Sequence, residues 1–179
     1  MKIQIDKYFE PFDKQFDKYF EPLRKNTRAN HIFYGASTLA DHSIIWFMFA
    51  AIRGLRRGGT QYASRASIAL LAESFIINIG VKSLFMRTRP SWDGDRPLAI
   101  RQPLTSSFPS GHSSAAATAF ILLSDNDKFW PIYLLIALIV APSRVHVRMH
   151  HASDVVAGTV IGTLFGLMVK RIFPITRQR

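Results

Sequence analysis

Residues 109–144 read PSGHSSAAATAFILLSDNDKFWPIYLLIALIVAPSR: two apolar runs joined by Asp125-Asn126-Asp127-Lys128 and bounded by Pro109-Ser110-Gly111-His112 and Ser143-Arg144. Four polar residues between two apolar runs read as a tight hairpin turn, so the runs predict antiparallel helices with both outer motifs side by side at one end. Apolar residues also concentrate in Phe33–Ile52, Ala66–Met86 and Val155–Phe173, while charges crowd the N-terminal stretch, the joins and the C-terminus. Five such segments predict an all-α integral membrane bundle of about five transmembrane helices. The second and fifth are long enough to cross about 30 Å of hydrocarbon, whereas those of the hairpin are shorter. The first carries Asp41 and His42, which are expensive in lipid and are expected to face the protein interior or lie near one end. A soluble helical bundle is the alternative, and the unbroken apolar runs weigh against it.

Composition narrows the partners. The 179 residues suit a single domain and carry a formal net charge of +11, so nucleic acid has to be considered. The cations do not form one stripe interleaved with aromatics. Arg53, Arg56, Arg57 and Arg65 make one short loop, Lys170, Arg171, Arg177 and Arg179 make the tail, and both fit anionic lipid headgroups better than a nucleic-acid groove. No cysteine is present, which excludes thiolate and disulfide chemistry. The first 30 residues are charged throughout and do not resemble a cleaved signal peptide.

Residues 1–30 form a distinct amphipathic N-terminal segment, followed by the main unit over 31–179. Asp6-Lys7-Tyr8-Phe9-Glu10-Pro11 recurs as Asp17-Lys18-Tyr19-Phe20-Glu21-Pro22, eleven residues on and close to three helical turns. Phe9, Phe12, Phe16 and Phe20 thus share one face, as in a helix lying in the membrane interface; the alternative packs them on the main body. Pro11 is placed to kink that helix and Pro22 to end it. In the last segment, Gly158, Gly162 and Gly166 recur every four residues, a strip that lets another helix approach closely. The small run Ser113-Ser114-Ala115-Ala116-Ala117 is the expected neighbour, an arrangement that brings His112 next to His150 and Asp154.

The polar clusters supply what cleavage of a phosphate ester needs. Displacement at phosphorus builds charge on the equatorial oxygens, which fixed cations and amide donors stabilise. Lys82, Arg89 and Arg144 are the candidate cations, and Ser110 with the N–H groups around Gly111 offers an anion site at a helix N-terminus. His150 and Asp154, four apart, would share a helix face; a carboxylate holding one imidazole nitrogen leaves the other free to attack phosphorus. His112 would protonate the leaving alkoxide and later activate water. For a metal no third ligand stands at helical spacing, and neither His146 nor His151 has an obvious partner. Asn78 is placed to hydrogen-bond Lys82, and Glu73 to pair with an arginine or His42. Trp92, Asp93, Asp95, Arg96 and Arg101, in the join beside the phosphate site, are candidates for headgroup selectivity.

The order K-x6-R-P, then P-S-G-H, then S-R-x5-H-x3-D, running from Lys82 to Asp154, resembles the type 2 phosphatidic acid phosphatase superfamily, related in its site to vanadium haloperoxidases. The resemblance implies that His150 is the nucleophile forming a phosphohistidine, Asp154 orients it, and His112 is the general acid. It further implies that Lys82, Arg89, Ser110, Gly111 and Arg144 hold the phosphate, without metal or other cofactor. The expected activity is removal of a terminal phosphate from a membrane lipid, such as phosphatidic acid, phosphatidylglycerol phosphate, a polyprenyl pyrophosphate or a polyprenyl phosphosugar. A non-catalytic lipid-phosphate binder or transporter and a vanadate-dependent peroxidase are the alternatives. Familiar bacterial members have six spanning helices; here the amphipathic N-terminus takes the place of the first. The N-terminus then shares a membrane side with the site, and its charge favours the cytoplasmic face of a bacterial plasma membrane.

Overall fold

The computed structural model describes residues 3–92, 96–102 and 105–175. Its helices are α1 (Asp6–Arg24), α2 (Thr27–Leu39), α3 (Ile44–Gly54), α4 (Thr60–Leu84), α5 (Gly111–Leu123), α6 (Trp130–His146) and α7 (Ala152–Ile172). Among the described residues there is no strand, only an isolated bridge in which Ile3 N–H donates to Leu84 O and Met86 N–H to Ile3 O. Of the residues singled out in sequence, Asp93, Asp95, Arg177 and Arg179 lie outside the described set.

Two helices, α4 (25 residues, mean hydropathy 1.5) and α7 (21 residues, mean hydropathy 1.7), are long and apolar enough to cross a membrane. The expected first span is instead broken: α2 and α3 meet at 63° across Asp41–Ser43, where His42 and Ser43 take left-handed φ values of 51° and 60°. Counted as one, this pair makes a third candidate. The hairpin helices α5 and α6 have 13 and 17 residues, so length and composition alone support two or three spans rather than five.

The surface supports a lipid setting. Ile44, Met48 and Ile52 on α3, Ile68, Leu71 and Phe75 on α4, Leu135 and Leu138 on α6, and Val156, Val160 and Leu164 on α7 are all exposed. The interior between them is small or polar: Ala66, Ala116, Ala119, Ser113, Ser114 and Thr118 are buried around Trp46, Leu70 and Leu122. This inversion suits helices whose outer faces meet hydrocarbon and whose contacts rely on close approach.

The glycine strip makes that approach. A Cβ on Gly158 would lie 2.3 Å from Ser110 O, one on Gly162 2.1 Å from Ser114 O, and one on Gly166 3.0 Å from Ile121 Cβ. Backbone meets backbone along α5 and α7, and Thr118 Oγ1 donates to Gly162 O at 3.0 Å. The turn between α5 and α6 closes the opposite end, with Asn126 at φ 54°. Its carboxylates take up most of the basic loop: Arg53 and Arg56 pair with Asp127, and Arg65 and Lys170 with Asp125. Burial opposes ionisation of Asp127, but Arg56, the Phe129 N–H and Arg53 more than offset it and hold the carboxyl well below its usual range.

Helix α1 crosses the end of the bundle that carries the motifs. It is continuous past Pro11 and runs two residues beyond Pro22. Its acidic side docks: Asp13 is buried, pairs with Arg87 and accepts from Ser153 N and Oγ at 2.8 and 2.9 Å. Arg24 on the same helix donates to His146 O and Val145 O, both at 2.9 Å. Phe9, Phe12 and Phe16 are exposed, whereas Phe20 packs edge-on against Phe33 and His146 of the main body, with ring centroids 6.4 and 6.2 Å apart.

Candidate active site

Five consecutive constraints gather the motifs at one end. Helix α4 passes through a π-helical stretch, Ile76–Val81, and carries Lys82, which is 7% exposed, in its last turn. A Cβ on Gly111 would lie 3.7 Å from Lys82 Nζ, so the first turn of α5 sits beside that ammonium. Ser110 is the N-cap of α5; its Oγ accepts from Ser113 Oγ at 2.9 Å, and its N–H donates to Asp154 O at 3.0 Å, fastening α5 to α7. Arg144, in the last turn of α6, is 1% exposed and donates to Ser37 Oγ, while its Nε has no hydrogen-bond partner. Arg89 follows α4 in extended chain, and its guanidinium donates to Met149 O at 2.7 Å and Thr105 O at 3.1 Å. Burial pushes its pKa down from the ordinary arginine value, with Asp154 opposing.

The buried cations fall into two classes. Arg53, Arg65 and Arg87 each meet a carboxylate. Among the described residues, Lys82 and Arg144 have no carboxylate at ion-pair distance. An unpaired buried charge costs several kcal/mol, which is tolerated where an anion completes the site. Asn78 does not bond Lys82; its Nδ2 donates to Ser74 O and Oγ. Glu73 is buried with Oε1 unpartnered, and it meets neither an arginine nor His42 among the described residues.

His150 sits on the turn before α7, not on the helix. Met149 and His150 N–H both donate to Arg144 O, at 3.0 and 3.1 Å, with Arg148 in a left-handed conformation. The His150 Nδ1–H donates to Ser107 O at 2.6 Å, because a carbonyl can only accept. That fixes the tautomer: Nε2 carries the lone pair, and it lies 3.4 Å from Arg89 Nη1. Burial, helped by the Arg144 and Arg89 charges and opposed by Asp154, pushes the imidazole down to about 3. The ring is therefore neutral and available as a nucleophile at physiological pH.

Asp154 stands 3.6 Å from His150 Nδ1, beyond a good hydrogen bond. Its oxygens instead accept from Ser107 Oγ at 2.6 Å, His151 N–H at 2.9 Å, and Arg87. It thus holds the strand of chain whose carbonyl holds His150, with its own charge close by. The difference from an i,i+4 helix pair arises because α7 starts at Ala152 and Asp154 caps that start. His112, in the first turn of α5, places Nε2 2.9 Å from Asp41 Oδ1. His146 and His151 are engaged elsewhere, on Asn30 Oδ1 at 2.8 Å and Thr88 O at 3.2 Å.

All eight residues expected at the site lie at this end of the bundle. Asp41, Arg87, Ser107 and Ser37 contact them and were not singled out for that purpose, and Asp13 joins through Arg87. Arg87 is the hub, joining Asp6 and Asp13 of α1 to Ser153 and Asp154 of α7. Its place between Lys82 and Arg89 was a usable signal, since a third cation in an otherwise apolar stretch needs a counter-charge. In the selectivity loop, Arg96 donates to Val147 O and stacks over Trp92, and Arg101 donates to His42 Nε2. Two clefts approach the site, one of about 720 Å³ lined by Lys82, Arg87, Arg89 and Ser106, the other of about 690 Å³ between α1 and His150.

The sequence model of the PAP2 superfamily matches residues 62–177. Decaprenylphosphoryl-5-phosphoribose phosphatase of Mycobacterium tuberculosis is 28% identical over 143 residues, covering 77% of both chains. The Mycolicibacterium smegmatis protein of that name is 32% identical over 126 residues, covering 68% of this chain and 67% of its own. In structure, the transmembrane PAP2-type phosphatidylglycerolphosphate phosphatase of Bacillus subtilis superposes with a TM-score of 0.73 at 24% identity, over 96% of this chain and 90% of that one. LpxE of Aquifex aeolicus gives 0.68 at 22% identity, over 86% and 93%. With the family model spanning well over half its residues and these relatives sharing its length, the chain belongs to the PAP2 superfamily.

Proposed function

We propose that this protein is an integral membrane lipid phosphatase that works through a phosphohistidine on His150 and needs no metal. The carrying observation is a buried histidine whose Nδ1–H is committed to Ser107 O and whose Nε2 lies 3.4 Å from Arg89 Nη1, at the end of the bundle where Lys82 and Arg144 are buried. The phosphate is held by Lys82, Arg89, Arg144, Ser110 and the Gly111 amide. His150 Nε2 attacks phosphorus, forming an N–P bond as the P–O bond to the lipid breaks. His112 gives its proton to the departing alkoxide. Water then attacks the phosphoryl group, passes a proton back to His112, and inorganic phosphate leaves as the N–P bond breaks. Nδ1 keeps its proton throughout, donating it to Ser107 O, with Asp154 3.6 Å away to balance the ring's transient positive charge. Fixed donors around the equatorial oxygens are each worth about 10²–10³ in rate.

The membrane arrangement follows from the ends of the helices. The bent pair α2–α3 and helices α4, α5, α6 and α7 make five crossings, with the short hairpin helices starting beneath the site. Helix α1 lies in the interface, Phe9, Phe12 and Phe16 in lipid and its acidic side on the bundle, and the site opens to the cytoplasmic face of a bacterial plasma membrane. Among substrates, a polyprenyl phosphosugar is favoured, because the mycobacterial relatives that share most of this chain's length are named for one. The deciding experiment is phosphate release by detergent-purified protein from a panel of polyprenyl phosphosugar, polyprenyl pyrophosphate and phosphatidyl phosphates, beside His150→Ala and with a chelator present. Release from the first at the highest kcat/KM, abolished in His150→Ala and indifferent to chelator, is expected. Equal release by the variant removes the nucleophile, and no release by either protein favours a lipid-phosphate binder.

A further inference from the structure

The break between α2 and α3 does more than bend a helix. It sets Asp41 against the first turn of α5, where its Oδ1 meets His112 Nε2 at 2.9 Å. The break is held open at a cost, since His42 and Ser43 both adopt left-handed φ values that disfavour L residues by about 1–2 kcal/mol each. Arg101 Nη1 donates to His42 Nε2 at 2.5 Å and fastens the break to the 96–102 segment. One turn earlier, Ser37 Oγ accepts from Arg144. One bent segment thus grips both the leaving-group histidine and a phosphate-binding arginine, although it lies outside the 62–177 region that the family model matches.

We propose that Asp41 is a positioning residue for the departure of the lipid alcohol, a role that rests on His112 being the general acid. In the doubly protonated ring that acts as the acid, Nε2–H donates to the carboxylate, which fixes the ring's orientation and leaves Nδ1–H as the donor to the leaving oxygen. Its negative charge also accommodates the protonated ring beside Lys82 and Arg144. When the P–O bond breaks, the Nδ1 proton moves to the alkoxide while Nε2 keeps its proton and goes on donating to Asp41; in the second step Nδ1 takes the proton of the attacking water.

The test separates leaving groups. An alkoxide needs a proton as it departs, whereas a nitrophenolate leaves without one. Single-turnover release of the leaving alcohol or nitrophenolate, which reports the first step alone, is measured with enzyme in excess, for an alkyl phosphate and 4-nitrophenyl phosphate, in wild type, Asp41→Asn, Asp41→Glu and His112→Gln. Asp41→Asn is expected to slow alkyl release by about 10–100-fold and aryl release by less than about threefold, with Asp41→Glu recovering part of the alkyl rate. The retained aryl rate shows at once that the variant is folded. Equal loss on both substrates, or no loss on the alkyl ester, overturns the assignment. If His112→Gln shows the split and Asp41→Asn does not, Asp41 alone loses its role; if His112→Gln shows no split, the general-acid reading falls and takes the inference with it.

Discussion

Replacing Gly158 by alanine perturbs the site through one atom. That Cβ would lie 2.3 Å from Ser110 O, 3.2 Å from Ser110 C and 3.3 Å from Ser110 N, all backbone, so no side-chain rotation relieves it. The closest contact is about 1 Å short of ordinary van der Waals distance. Relief must lift the start of α5 away from α7 and strain the Ser110 N–H to Asp154 O bond. Overpacking of this kind costs about 1–3 kcal/mol, partly offset by up to about 1 kcal/mol of helix propensity gained by alanine. The effect on rate is larger in kind: displacing by about 1 Å the turn that we propose holds the phosphate is expected to lower kcat by about 10²-fold. Gly166→Ala is the internal control, because its 3.0 Å contact is with the side chain of Ile121, which can give, and the turn lies at the other end of α5. Phosphate release and thermal unfolding in detergent, measured for both variants, check this. Wild-type kcat in Gly158→Ala, or a greater loss in Gly166→Ala, would refute the reasoning.

Arg87→Met leaves Asp13 and Asp154 without their shared counter-charge and is expected to destabilise the fold by about 3–5 kcal/mol, with faster proteolysis within α1; unchanged unfolding would remove Arg87 as a hub. Asp127→Asn, at the far end, strands buried Arg53 and should lower stability by a comparable amount while kcat at a permissive temperature stays within about twofold. For pH, the His150 pKa is about 3 when folded and near 6.5 when unfolded, so between these values only the unfolded chain takes up the proton. The contribution of His150 to stability should therefore fall as pH drops from about 6.5 towards 3, by at most about 1.4 kcal/mol per unit, and His150→Gln should make the slope shallower by that amount in unfolding titrations. Because the chain has no cysteine, single cysteines report sidedness directly: with the site cytoplasmic, an impermeant maleimide applied to intact cells labels Arg57→Cys and spares Ser91→Cys, and the reverse pattern places the site outside.

What could be read from sequence was whatever depends on local spacing. The 125–128 turn, the four-residue glycine period and the three polar clusters each fix a short-range geometry, and together they bring Ser110, His112, Arg144 and His150 to one end. What could not be read depends on where irregular chain travels. Asp41 looked like a misfit in an apolar run, because nothing in hydropathy encodes a 63° break at two left-handed residues. Ser107 became visible only once the loop was seen to return its carbonyl to His150, and that displaced Asp154 from direct contact. The N-terminal repeat was legible as an amphipathic helix, yet its docking through Asp13 onto Arg87 is a contact between residues 74 apart in sequence.

The account turns on a covalent bond between phosphorus and His150 Nε2. The most direct measurement is a single turnover with substrate radiolabelled in its terminal phosphate, quenched in alkali and mapped by peptide. The label is expected on His150 at Nε2, and absent from His150→Ala. Label on another residue, or turnover that continues in His150→Ala with no protein-bound phosphate at any time, would contradict it.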